Sequence, residues 1–239
     1  MSNKLSMIVM FILAILMFFA CAPRATQVSS PAQNQDLSLE NSPEMLQETQ
    51  LKWLNESLCQ SPCWEGITPG ITNKTDALSL LMQVENVNDV KVSPYESVGE
   101  INWYWGDNPL NSGRLFYSIN NDVVYSVWPG IGNGLTLADI AQQFGPPTHA
   151  WVREVKPVEA QQNQEEKNYS LEIVWLNKGF SVSGANPNHH GWIDAGFLIG
   201  SVKFFTPTHE GYILAVGNVG KNLVPWHGYD TWENYIASE

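Results

Sequence analysis

Four of the five histidines fall between positions 189 and 227, each group beside a glycine and an aromatic: His189-His190-Gly191-Trp192, His209-Glu210-Gly211-Tyr212 and Trp226-His227-Gly228-Tyr229. Imidazole titrates near neutrality and ligates metals, so three such groups brought together could hold an ion or work with a carboxylate as acid and base. The same residue types also build ordinary packed turns. His209-Glu210 lacks the second histidine that a zinc-protease helix would carry. Loop packing is therefore the expectation, with His190, His209 and His227 as a candidate binding surface and no metal or cofactor assigned.

The chain holds three cysteines. Cys59 and Cys63 enclose a very small loop, and a disulfide there would stabilise the fold by about 2 kcal/mol in the chain-entropy picture. The spacing also suits half of a zinc site. No second cysteine pair completes one, however, and the first histidine, His149, lies 86 residues beyond Cys63. A Cys59–Cys63 disulfide is the expectation. The third cysteine, Cys21, ends a stretch with one Lys4 and a 16-residue apolar run, Leu5–Ala20. That run falls short of the roughly 20 residues a bilayer-spanning helix needs. With Ala20 before Cys21 and Pro23 after it, the pattern predicts a signal cut at Cys21 and acylation of that residue.

Other candidate chemistry is thin. Gly130-Ile131-Gly132-Asn133-Gly134 has Leu135 where a dinucleotide fingerprint needs its third glycine, and reads as a joint. Glu159, Glu165 and Glu166 sit in a polar run, Lys156–Asn168, expected to be a solvated hairpin loop. No serine stands in a nucleophile elbow. Trp103 and Trp105 should be buried on one face of a strand and Tyr104 should point the other way, toward a possible partner. No catalytic constellation emerges, and the chain is not expected to be an enzyme.

The formal net charge is −12, becoming −13 once Lys4 leaves with the signal. So acidic a chain has no electrostatic footprint for nucleic acid. Residues 1–20 are read as the lipoprotein signal and 21–41, rich in Ser, Gln, Pro and Asn, as a flexible tether. Two α+β halves follow, at 42–132 and 133–239. The first opens at Ser42-Pro43 and carries a helix near 73–84, capped by Thr72 or Thr75. Alternation then marks strands through Ile101–Trp105, Leu115–Ile119 and Val123–Val127, the last two joined by a turn at Asn120-Asn121-Asp122. In the second half Thr136 and Asp139 resemble a capping box, and Leu137, Ile140, Ala141 and Phe144 form a helical face. Strands are expected at about 149–155, 169–176, 180–183 and 202–206. Gly134-Leu135-Thr136 echoes Gly70-Ile71-Thr72. The fold class is α+β, helices packed on antiparallel sheet, with tandem helix-plus-meander halves as the finer expectation.

The motif Cys59-x-x-Pro62-Cys63-Trp64-x-Gly66-Ile67-Thr68-Pro69-Gly70-x-Thr72 resembles one in uncharacterised lipoproteins of Chloroflexi-type bacteria. The segment Leu135–Pro147, a helix ending in Gly-Pro before a strand, is similar to the small outer-membrane lipoproteins of barrel assembly, whose fold β-lactamase inhibitory protein shares. The resemblance implies helices on an antiparallel sheet and a binding or structural role, and it transfers no catalytic residue. The functional expectation is a protein exported and lipid-anchored to a bacterial membrane, partnered by an envelope protein. A glycan-binding module or cell-wall hydrolase, and an extracellular metal-binding protein, are the alternatives.

Overall fold

The computed structural model describes residues 59–94, 97–106, 108–130, 134–155, 168–185 and 191–236. The signal, Cys21, the tether, the helix expected from Ser42, residues 156–167 of the polar loop, residues 131–133 of the glycine joint and His189-His190 lie outside them.

The cysteine motif comes first. Cys59 and Cys63 are disulfide-bonded, with Cα atoms 5.5 Å apart. Trp64 and Ile67 exchange backbone hydrogen bonds of 3.0 and 2.8 Å across Glu65-Gly66. Both central residues have positive φ, 48° and 81°, as a tight two-residue hairpin turn requires. The hairpin drives Trp64 and Ile67 into the core, where neither is exposed. Trp64 stacks on Trp103 at 5.6 Å and meets Trp105 edge-on at 6.1 Å. The segment also reaches far along the chain: Ser61 Oγ donates to the Lys178 carbonyl at 2.6 Å, and Gly70 N to that of Val124 at 2.7 Å.

Helix α1 (Lys74–Leu81) is capped by Asn73, whose side chain accepts from Asp76 N at 2.9 Å. The cap is thus neither Thr72 nor Thr75. Thr72 Oγ1 instead accepts from Thr68 N, inside the preceding turn. Four strands follow, β1 (Val87–Pro94), β2 (Val98–Trp105), β3 (Asn108–Ser118) and β4 (Val124–Trp128). β1 was absent from the sequence expectation. It is an irregular edge strand, with a register break between Asn88 and Lys91 and a positive φ at Asp89. Such a bulge erases the two-residue period.

The second run repeats the order: α2 (Leu137–Phe144), then β5 (His149–Val155), β6 (Asn168–Trp175), β7 (Phe180–Ala185), the short β8 (Trp192–Ile193) and β9 (Leu198–Phe205). Thr136 and Asp139 form the expected capping box. Helix α3 (His209–Val216), β10 (Val224–Pro225) and β11 (Asp230–Thr231) follow, with short 3-10 turns at Leu176–Lys178, Asn218–Asn222 and Trp232–Tyr235.

All the strands but β8 and β11 make one nine-stranded sheet, ordered β1-β2-β3-β4-β9-β7-β6-β5-β10, and its pairings are antiparallel. The α+β class holds. The seam is β4 against β9, through Ser126↔Phe205 and Val127↔Phe204. One face of this sheet meets α1 and α2 over a continuous core that includes Ala77, Leu81, Ile101, Leu115, Leu137 and Ile140. Glycine makes room for aromatics there: Gly113 pairs with Trp103, and Gly99 with Tyr117, so that each ring lies over its partner's bare backbone. The other face is covered in part by α3, where Tyr212 and Ala215 pack on Phe205 and Val174.

Candidate functional site

Directly opposed residues of neighbouring strands share a sheet face. The pairings Lys91↔Asn102, Asn102↔Arg114 and Arg114↔Trp128 therefore draw a row across β1 to β4 on the face away from α1 and α2. Lys203 of β9 continues it. Its Nζ lies 4.8 Å from the Trp128 ring centre, and the Arg114 guanidinium carbon lies 5.5 Å from it. Trp128 thus carries two cations, and its Nε1 donates to Ser126 Oγ at 2.7 Å. Phe116 meets Trp128 edge-on at 5.3 Å and stacks on Tyr125 at 6.2 Å. Lys91 and Arg114 are exposed, and Asn102, Tyr104, Phe116, Tyr125 and Trp128 are half-buried.

The inner end of the row differs in kind. Lys203 Nζ donates to Glu172 Oε2 at 2.8 Å, and Ser181 Oγ donates to Glu172 Oε1 at 2.5 Å. Glu172 and Ser181 are buried. A charge taken from water this far needs a partner with good geometry, and Glu172 has one on each oxygen. Both oxygens being engaged, the carboxylate serves as a fixed structural charge. Tyr212 of α3 packs above, its hydroxyl unpartnered among the described residues. Burial first, then the Glu172 charge, pushes that phenol well above its ordinary range. At the outer end the Arg114–Glu100 contact is loose, at 3.9 Å. Lys91 bonds Asp89, and that hydrogen bond raises its pKa.

Of the residues singled out from the sequence, Tyr104 lies on this face, beneath Lys91 Nζ at 5.7 Å. Trp103 is buried on the opposite face, and Trp105 is half-buried beside it, donating from Nε1 to the Pro129 carbonyl at 2.5 Å. The histidines do not share one setting. His190 lies outside the described residues. His209 is the first residue of a helix where a loop was expected, and its Nε2 is 3.2 Å from the Gly220 carbonyl. His227 stacks flat on Tyr235 at 4.2 Å, with Asp230 Oδ2 3.7 Å from its Nδ1. The Tyr235 hydroxyl donates to the Gly228 carbonyl at 2.5 Å, closing that loop on itself. Asp230 is held below its usual carboxylate range by the Thr231 backbone N–H, then the Asn234 side chain, then His227. Among the described residues no group of three or more His, Cys, Asp or Glu side chains is placed to hold a metal.

Sequence reasoning missed Arg114, Trp128, Glu172 and Lys203. One signal was present: Lys203 and Glu172 each stand between apolar neighbours in a strand, at Val202-Lys203-Phe204 and Leu171-Glu172-Ile173. An alternating pattern assigns such residues to solvent, and only the sheet pairing brings them together.

Comparison of the chain with protein-family models, curated proteins and solved structures finds no match.

Proposed function

We propose that the chain is a non-enzymatic, lipid-anchored protein of the bacterial cell envelope that binds a partner protein through the sheet face bearing Arg114 and Trp128. The observation that carries this reading is the Lys91–Asn102–Arg114–Trp128 row. Arginine and large aromatics are the residues that dominate binding energy at protein interfaces, and here they sit half-exposed on a rigid sheet. The apolar run before Cys21 supplies the anchor in this reading, and acylation there would confine the domain near its partner. The two helix-plus-meander runs are read as tandem repeats. Asn73↔Val123 and Thr136↔Leu198, each a helix cap bridged to the start of its run's last strand, support that.

A photo-crosslinking residue at Asn102, in cells expressing the full chain, should capture a discrete envelope protein. The same residue at Met82, exposed at the end of α1 on the far side, should not. Capture from both positions, or from neither, would sink the proposal. So would turnover of cell-wall polymer by the purified full chain that disappears in Glu172→Gln. The glycan reading keeps one observation in its favour: Trp192 of β8 and Tyr229, next to β11, are each 51% exposed at the small ribbon these strands make. Retention on a cell-wall polysaccharide column that is lost in Trp192→Ala would shift the assignment there.

A further inference from the structure

We infer that the occupant of the Lys91–Asn102–Arg114–Trp128 row is an acidic segment of the partner protein, a carboxylate being received by Arg114 while an apolar neighbour lies against Trp128. This rests on the binding reading above and gives it a chemistry. The warrant is charge placement. The chain is strongly acidic, yet of the cationic side chains described (Lys74, Lys91, Arg114, Lys178, Lys203 and Lys221) three lie in this one row across the sheet. Each of the three faces a carboxylate, Asp89, Glu100 or Glu172, so the row is balanced in a chain whose net charge repels anions, and the cation held least firmly is the one left to receive an acid.

The members of the row are unequal, and that decides the geometry. Lys203, with a side chain 14% exposed, is committed to Glu172, and Lys91 is bonded to Asp89. Arg114 is 46% exposed and touches Glu100 only at 3.9 Å. A guanidinium offers five donors in a fork that fits a carboxylate in two-point contact, and this one already lies over the Trp128 ring. Asn102, its direct cross-strand neighbour, can add an amide donor. Phe116 and Tyr125 border Trp128 on the next positions, so an apolar side chain beside the acid has somewhere to pack.

The test is fluorescence anisotropy with the full chain and a fluorescein-labelled peptide of alternating Glu and Leu, beside its Gln-for-Glu counterpart. The Glu peptide should bind, and added salt should weaken it. Arg114→Gln should reduce its affinity roughly tenfold, the scale of one charge-assisted contact. Arg114→Lys should recover part of the loss, while Lys74→Gln, outside the row, should change nothing. Near-UV circular dichroism would establish that each variant is folded. Equal affinity for the Gln peptide, or equal loss in Lys74→Gln, overturns the inference. If the Gln peptide binds as well and both peptides are lost in Trp128→Leu, the face still binds but not through a carboxylate. Absence of binding by either peptide, together with no capture from Asn102, overturns the face itself. Polyphosphate binding more tightly than the Glu peptide at equal charge would reassign the row to a phosphate polymer.

Discussion

The two helix-plus-meander runs are built alike where they begin and differently on the face that meets solvent. In the first, Lys74 N donates to the Asp122 carbonyl and Val124 N to that of Thr72. In the second, Leu137 N donates to Phe197 and Ile199 N to Leu135. These are the same bonds in the same order around the caps Asn73 and Thr136. The other sheet face breaks the likeness. The second run lies partly under α3, with Phe205 and Tyr212 in contact at 5.1 Å. The first run presents Arg114, Trp128 and Phe116 half-exposed or exposed. The two runs are thus alike in the bonds around their helix caps and unlike in what covers their outer face.

The comparison would break most visibly at Trp64, which seals the first run and has no counterpart described before α2. Trp64→Ala should cost about 4 kcal/mol, the range for a buried aromatic. Because β4 and β9 join the runs, denaturant curves followed by tryptophan fluorescence and by far-UV circular dichroism should still coincide. Separate transitions would mean that the runs fold independently. Next in size is Lys203→Met, which leaves Glu172 buried without its cation and should lower stability by about 3 kcal/mol. A chemical-denaturation midpoint unchanged from the parent would refute that account.

The caps sharpen the likeness. Asn73→Ala and Thr136→Ala should each cost about 1 kcal/mol, equal within a few tenths, measured by urea unfolding. A difference of several-fold would show that the two starts only look alike. The smallest effect belongs to the second run alone. His149 has its pKa lowered from 6.5 by burial, then by His209. Its folded state favours the neutral ring, so below 6.5 the unfolded chain takes up the proton first and stability falls with further acidification. Comparing unfolding at about pH 7.5 and about pH 5.5 should show a loss that His149→Gln reduces.

How much of this was legible follows from what each residue's environment depends on. Ile101 and Trp103, like Leu115 and Tyr117, announced their strands because these alternate residues are buried on one face. Thr136 and Asp139 announced α2 because a capping box is local. Helix α3 did not announce itself, for it holds Gly211, a poor helix former, and its apolar residues run consecutively from Tyr212 to Val216 instead of at helical spacing. Packing requires that glycine: a side chain at 211 would run into the Thr206 carbonyl. The Lys91–Trp128 row depends on strand register, which pairs residues 11, 12 and 14 positions apart and leaves no trace in the alternation of any one strand.

The bond from Ser61 to the Lys178 carbonyl spans 117 residues. Its consequence concerns the order of events as the chain is made. The cysteine hairpin is synthesised early, yet its latch is a turn that follows β6 and its neighbour Gly70 rests against Thr206, beyond β9. Contacts this distant in sequence form late, because the intervening chain must first be gathered. The beginning of the domain is therefore finished by its end: a nascent chain that stops short of Lys178 leaves the Ser61 latch open, and the domain closes only once nearly all of it is present.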